Sequence, residues 1–557
     1  MKATAILLLL ACLALPGRSA EIIQADICVY GGTAAGVAAA VEAARMGQST
    51  VLLEPGDHLG GMTSGGLGAT DIGNKAAIGG IAREFYHRIA LHYARNDAWW
   101  IETRDSYFKH HATRNAPGDL NAPDATMWTF EPHVAESVLF DMVNEAKVSV
   151  YLRQPLATVK TEKRWIREIA TESGRIYRAK MFIDATYEGD LMAKAGVSYT
   201  VGREGNSQYN ETLDGVRAQT PKHQFTVSVD PFLTPGDPRS GLLPFIQPVP
   251  FGEPGSKDAS VQAYNFRLCY TRDPANRLPN KPPPGYKASD YELLARYIEA
   301  LAASGKKPAL SQFWNPLWMP NDKTDINNNG AFSTDFIGRN YDYPDASYSQ
   351  RAQIWEAHKN YTLGFVYFLA TGPRVPENMR KEMQSWGPAR DEFYDTGGWP
   401  NQLYIREARR MLSDYVMTEH NCRGEVRAQD GIGLAAYGMD SHNCRRLVRD
   451  GHVENEGDTQ VGGFSPYPIS YRSIVPKASE CENLLVPVCL SATHISYGSI
   501  RMEPVFMILG QSAATAAALA IQEHHPAQKV SYPKLRARLL QDKQVLEWTG
   551  HKPPHRR

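Results

Sequence analysis

The chain has 557 residues, 43% of them hydrophobic and 22% charged, and its 60 Lys plus Arg match 60 Asp plus Glu for a formal net charge of zero. This composition excludes a disordered chain, which needs low hydrophobicity or high net charge, and it disfavours a general nucleic-acid binder, which needs excess positive charge to neutralise phosphates. The length suits a large core and at least two folding units, and no long apolar run beyond the N-terminus points to a membrane span.

In chain order, Lys2 is followed by the apolar stretch Ile6-Leu7-Leu8-Leu9-Leu10-Ala11-Cys12-Leu13-Ala14-Leu15 and by small residues near Ser19-Ala20. This pattern reads as an export signal over residues 1–20, so a periplasmic or extracellular protein is expected. Leu9-Leu10-Ala11-Cys12 is a poor match to a lipid-attachment box, which leaves a lipoprotein as the lesser alternative. Export exposes Cys28, Cys269, Cys422, Cys444, Cys481 and Cys489 to an oxidising compartment, with one disulfide among the last four left open. Cys28 itself reads as a small buried hydrophobe. No CxxC or His-rich spacing signals zinc, and no metal is expected.

Ile27-Cys28-Val29-Tyr30 is a short strand, and Gly31-Gly32-Thr33-Ala34-Ala35-Gly36 is a glycine turn. Val37 to Met46 predicts a small-residue helix stopped by Gly47, and Thr50-Val51-Leu52-Leu53 predicts a second strand ending at Glu54. Strand, glycine turn, helix and strand with a terminal acid is the dinucleotide-binding unit. Glycines admit a pyrophosphate, the helix N-terminus offers it free N–H groups, and Glu54 accepts ribose hydroxyls. Thr33 stands where the middle glycine is usual, so its Cβ must be accommodated there.

Three further segments narrow the dinucleotide to a flavin. His58 to Gly68 crowds glycines directly behind Glu54, which suits backbone wrapped around a long cofactor. Met181-Phe182-Ile183-Asp184-Ala185-Thr186 runs an apolar strand into small and acidic residues, with Asp190 close behind. Near the end, Asn483 to Val488 reads as a strand, Cys489 to Met502 as a turn, and Pro504 opens a helix whose Gly510 to Ala518 stretch is made of small residues.

Tyr30-Gly31-Gly32-Thr33-Ala34-Ala35-Gly36, Gly60-Gly61-Met62-Thr63-Ser64-Gly65-Gly66-Leu67-Gly68, Asp184-Ala185-Thr186 and Ser499-Ile500-Arg501-Met502-Glu503-Pro504 together resemble the secreted FAD-dependent oxidoreductases related to fumarate-reductase-type flavoproteins. The resemblance covers roughly residues 22–215 and 400–525. It implies an α/β fold of the glutathione-reductase type, a Rossmann-like FAD-binding domain made discontinuous by an inserted mixed α+β cap. The divisions expected are 21–215, 216–399 for the cap and substrate domain, and 400–545. The FAD contacts implied are Gly31, Gly32, Thr33, Ala34, Ala35, Gly36, Glu54, Gly60, Gly61, Met62, Thr63, Leu156, Asp184, Ala185, Thr186, Asp190, Arg501, Glu503 and Gly510.

In the middle, Val261 to Tyr270 alternates like a strand with one covered face, and Tyr291–Ala303 and Gln350–Leu369 read as amphipathic helices. Asp325-Ile326-Asn327-Asn328-Asn329-Gly330 opens like a calcium loop, but Phe336 stands where the bidentate Glu is needed, so a polar turn is expected.

For chemistry, His494 is the first candidate acid or base, because its ordinary pKa lies near neutrality. Arg501 is expected to hold the flavin carbonyls or an anionic substrate, with a bridge to Glu503 as the alternative; Arg267 is a candidate to reach in from the cap strand, with an exposed arginine as the default, and Lys323 and Asp325 are equally minor candidates. The resemblance also makes His58, a few residues before Gly65-Gly66, a candidate for the covalent FAD bond that related flavoproteins form through a histidine in this loop, with a solvated loop histidine as the plainer reading. The function expected is hydride transfer between flavin N5 and a small polar substrate such as a sugar or polyol, with the second electron partner unknown. Two alternatives remain: reduction of an unsaturated carboxylate clamped by Arg501 and a second arginine, and a flavin-binding protein without turnover.

Overall fold

The computed structural model describes residues 21–111, 120 and 122–550. The export signal expected over residues 1–20 lies outside them.

A seven-stranded sheet organises the two ends of the chain. Its strands β1 (Ile22–Tyr30), β2 (Thr50–Leu53), β3 (Ser149–Tyr151), β4 (Leu156–Glu162), β5 (Trp165–Thr171) and β6 (Ile176–Asp184) run in the order β3-β2-β1-β6-β5-β4. β1 pairs parallel with both β2 and β6, bringing Tyr30 level with Leu53 and Asp184. A two-residue strand, Leu484–Leu485, adds in parallel beside Phe182 and Ile183. The expected strand Asn483–Val488 is thus cut short, because Asn483 uses its side chain to bond the Ile166 backbone and its carbonyl to accept from Phe182. The carboxyl ends of these parallel strands open on one edge, where ligands of such sheets bind.

Five helices frame that edge: α1 (Ala34–Arg45), α2 (Gly80–Ala94), α3 (Pro132–Glu145), α4 (Tyr348–Thr371) and α5 (Glu503–Glu523). α1 is an alanine-rich helix because it is walled in; everything from Ala34 to Ala43 is buried. α5 lies against α1, and the absence of side chains at the contact lets the two backbones meet. α5 is long and apolar enough to cross a membrane, but 89% of its apolar window is buried inside the protein.

The middle of the chain carries its own four-stranded sheet, β7 (Leu268–Thr271), β8 (Pro316–Met319), β9 (Lys323–Ile326) and β10 (Gly387–Pro388), in the order β10-β7-β9-β8. The predicted strand Val261–Tyr270 survives only at its end. Upstream, Gln262, Asn265 and Arg267 all turn inward to bond Glu407, Asn327 and Asp325, so no face alternates. The predicted helices correspond to Glu292–Ala303 and α4. One hydrophobic core runs unbroken from Ile27 through Leu294 and Phe332 to Leu509, so the middle segment shares its interior with the two ends. The six described cysteines are all buried and unpaired, which closes the disulfide left open by spacing.

Candidate functional site

The slot at the sheet edge begins with Thr33. It caps α1, accepting from the Gly36 N–H at 3.2 Å and donating to the Ala185 carbonyl at 2.7 Å, so the threonine at the middle-glycine position ties β1 to the turn after β6. A Cβ on Gly36 would stand 1.8 Å from the Gly31 oxygen, which is why this position has none. The Ala34 and Ala35 amides are left as open donors of the helix N-terminus. Glu54 accepts from the Gly32 N–H at 2.7 Å and from the Gly56 N–H at 2.6 Å, and burial pushes its carboxyl up to about 7.

Gly31, Thr33, Glu54, Thr186 and Asp190 line this slot together, facing Tyr343, Tyr348 and Arg351 from the middle of the chain. Arg351 grips Asp190 at 2.6 and 2.9 Å, and Arg409 reaches the same carboxylate at 2.8 Å. The Leu156 N–H donates to the hydroxyls of Tyr30 (2.9 Å) and Tyr348 (3.0 Å). These contacts narrow the slot to about 160 Å³, below the ~300–1,000 Å³ usual for ligand pockets.

The glycine-rich loop continues the path. The Gly60 N–H bonds the Gly32 oxygen at 2.7 Å, and Gly61 packs on the Tyr187 ring. The Tyr187 hydroxyl accepts from the Met62 N–H (2.8 Å) and donates to Glu503 (2.7 Å), which also accepts from Thr63 at 2.7 Å. Burial pushes the Glu503 carboxyl up to about 7. Segments 440 residues apart in sequence therefore meet through one acid.

Two expected cofactor residues face elsewhere. Asp184 is wholly buried and fastens the strand end by accepting from Thr186 and the Met192 N–H. Gly510 points at the Ala35 backbone and serves the α1–α5 contact.

Beyond the loop, a cleft of about 760 Å³ opens between residues 70–76, 437–440 and 460–462. Its floor is ionic. Arg267, expected to be exposed or reaching, is 1% exposed and forked onto Asp325 at 2.7 and 2.6 Å, with Asp71 at 3.3 Å. Arg501 does not bridge Glu503; it bonds the Tyr404 hydroxyl at 3.1 Å and Asp440 at 3.2 Å. Arg406 lies 3.1 Å from Asp335 and 4.5 Å over the Tyr404 ring. His494 sits one layer down, with Nδ1 on Glu407 at 2.7 Å and Nε2 on Ser441 at 3.0 Å, so both nitrogens are spent inside the protein. It fixes the strand Met439–Ser441 that carries Asp440, a positioning role in place of the acid–base one expected. The His494 and Arg410 charges hold Glu407 down at about 2 against its burial.

The remaining candidates are structural. Asp325 lies in β9, not a turn, and its carboxylate accepts from the Gly68 and Ala69 amides as well as Arg267, leaving nothing for calcium. Lys323 is fully buried among Glu131, Asp391 and Glu392 at 2.5 to 2.8 Å. Its ammonium occupies the centre that Glu131, His133 and Glu392 would offer a metal. His58 is held between Glu136 and Asp395, 3.0 Å from each. Sequence reading missed Tyr404, Arg406, Asp335, Asp440 and His442. The only trace is the charge-rich run Arg406–Arg410, which looks like a solvated stretch and is buried instead.

A parallel sheet edge with a glycine turn, a helix N-terminus, an acid on the next strand and a C-terminal segment returning to the same slot defines a dinucleotide-binding flavoprotein. The chain belongs to the FAD-dependent oxidoreductase family, whose model matches residues 26–539. FAD is its cofactor, and the residues fit it. The α1 N-terminus and Glu54 suit the adenosine diphosphate half, and the Gly60–Thr63 loop with Glu503 suits the ring end.

Among curated proteins, no match was found. Solved structures similar to the chain include the L-amino acid deaminase from Proteus vulgaris, at 16% identity over 33% of this chain and 53% of that one, with a TM-score of 0.24. Others are the L-proline dehydrogenase from P. horikoshii (16%, 34% and 59%, 0.23) and the 3-ketosteroid-delta4-(5alpha)-dehydrogenase from Rhodococcus jostii (17%, 32% and 50%, 0.20). The aligned part spans between 50% and 59% of these three proteins.

Proposed function

We propose that this FAD-dependent oxidoreductase oxidises a small, uncharged, hydroxyl-bearing substrate of the sugar or polyol class, which enters through the 760 Å³ cleft. Bound FAD supplies the two-electron acceptor. The observation that carries this reading is the pairing of the buried arginines in the cluster behind Asp440, an acid that lines the cleft. Arg267 is matched by Asp325 and Asp71, Arg406 by Asp335 and Arg501 by Asp440. A carboxylate substrate needs arginines with spare charge, and freeing one here leaves a buried acid unpaired. Hydroxyl groups bond to such matched pairs as donor and acceptor without disturbing them.

The test is anaerobic absorbance of the yellow protein during titration with neutral sugars and polyols, set against reoxidation of the reduced protein by unsaturated carboxylates. Bleaching by a polyol supports the reading. Reoxidation by an unsaturated acid alone overturns it, and a protein inert to both is a flavin binder. On the pattern of residues 2–20 the enzyme works outside the cytoplasm; N-terminal sequencing of the mature protein from culture medium or periplasm checks this.

A further inference from the structure

Three histidines lie around Asp440 and its neighbour Ser441, and their ring nitrogens are used differently. His494 has both nitrogens bonded within the protein. His223 bonds Asp458 through Nδ1 at 2.7 Å. His442 bonds Asp335 through Nδ1 at 2.8 Å, whereas its Nε2 makes no hydrogen bond among the described residues; the nearest acid oxygen, on Asp440, is 3.8 Å away. Asp440 lines the cleft and holds Arg501, so Nε2 lies 3.8 Å from a residue of the cleft wall.

We propose that His442 is the general base of this enzyme, taking the hydroxyl proton of the substrate at Nε2 while Asp335 holds its ring in the accepting tautomer. The proposal rests on the alcohol-oxidation reading above. A histidine that bonds a carboxylate through Nδ1 carries its proton there, which leaves the lone pair on Nε2. Asp335 is able to play this part because Arg406 stands on its other side at 3.1 Å. Burial pushes the Asp335 carboxyl up, but the Arg406 charge and the hydrogen bond from His442 outweigh it and hold the group below the usual carboxylate range. Burial and then Arg406 push the His442 imidazole down to about 4, so it is neutral at working pH.

The charged neighbours are all accounted for. Asp335 and Arg406 lie behind the ring, Asp440 beside Nε2, and His223 lies parallel to it with ring centres 6.4 Å apart. The His442 N–H bonds Gln262, which anchors the backbone. The order Arg406–Asp335–His442 repeats the logic of an orienting acid behind a base, here with an arginine keeping the acid ionised.

The atoms balance for a secondary alcohol. The O–H bond breaks and its proton moves to Nε2; the C–H bond breaks and its hydrogen leaves with the electron pair to the bound oxidant, and C–O becomes C=O. The imidazolium then returns its proton to solvent through the cleft.

The experiment uses the holoenzyme in two arms. In the first, ring-labelled histidine spectra of wild type and H442Q isolate the His442 signal without any substrate. A neutral ring bearing its proton on Nδ1 between about pH 6 and 8 is expected, and a ring protonated at Nε2 overturns the proposal. In the second, flavin bleaching by neutral sugars and polyols is followed anaerobically. H442Q is expected to keep the wild-type flavin spectrum and FAD affinity while bleaching ~10²–10⁴-fold more slowly, with the deficit shrinking at high pH. D335N, which leaves His442 free to adopt the wrong tautomer, is expected to show a smaller deficit and an altered pH profile. Equal bleaching of wild type and H442Q overturns the role of His442 and leaves the alcohol-oxidation reading intact. If no hydroxyl compound bleaches wild type, that reading falls and the role of His442 falls with it.

Discussion

A Cβ placed on Gly510 would stand 2.1 Å from the backbone oxygen of Ala35, so α5 touches α1 main chain to main chain at the very turn that opens toward the cofactor. G510A must push the helices apart. Overpacking of this kind costs about 1–3 kcal/mol, so a lower melting temperature is expected. Because the displaced turn presents the Ala34 and Ala35 amides, weaker FAD binding should accompany it. Calorimetry and flavin fluorescence titration read the two effects.

Asp325 gathers two loop amides and a buried guanidinium on one carboxylate. D325N keeps the shape but leaves Arg267 with only the half-exposed Asp71. Breaking a buried pair from one side costs about 3–5 kcal/mol, whereas replacing both partners with apolar groups is far milder. Urea unfolding should therefore rank D325N well below wild type and place R267M/D325L above D325N.

Glu42 sits between α1 and α5, accepting from Thr515 at 3.0 Å and Gln511 at 3.3 Å. Burial, with Asp542 nearby, lifts its carboxyl from 4.5 to about 7. A raised folded-state value means that the stabilising contribution is complete below pH 4.5 and is lost as pH climbs through 7. Between about pH 5 and 8 wild type should lose up to ~3 kcal/mol relative to E42Q. Part of the wild-type loss persists in E42Q, because burial also lifts Glu54 and Glu503 to about 7. Melting temperatures of the two proteins across that range give the comparison.

With both ring nitrogens on carboxylates, His58 is stabilised as an imidazolium; the Glu136 bond and the acidic pair raise its pKa despite burial. An imidazolium has no lone pair for attachment to a flavin. Acid precipitation should leave all yellow colour in the supernatant, and H58N should hold FAD as wild type does. A yellow pellet would contradict this.

The nucleotide half of the molecule was readable from sequence because its signals are local. Gly31 to Gly36, the alanines of α1 and the acid at Glu54 each follow from short-range backbone demands, and they occupy one slot. The ionic cluster behind the cleft was not readable, because its members are joined only by folding. Tyr404 meets Arg501, Asp335 meets His442, and Arg267 meets Asp325 across 58 to 107 residues. His494 stands out in the sequence for an ordinary pKa near neutrality, yet Glu407 and Ser441, which absorb both its nitrogens, come from distant segments. Arg267 misled for a related reason: an alternating strand pattern assigns faces, but a segment buried on all sides has none.

The strand Leu484–Leu485 completes a sheet whose other members lie 300 residues and more before it, and α5 follows it after one short helix, His494–Ile500. During synthesis at ~5–20 residues per second, β1 and α1 must wait tens of seconds for the partners that cover them. Over that interval α1 lacks the α5 backbone that packs against it at Ala35. The nascent chain therefore commits to its final form only in its closing hundred residues.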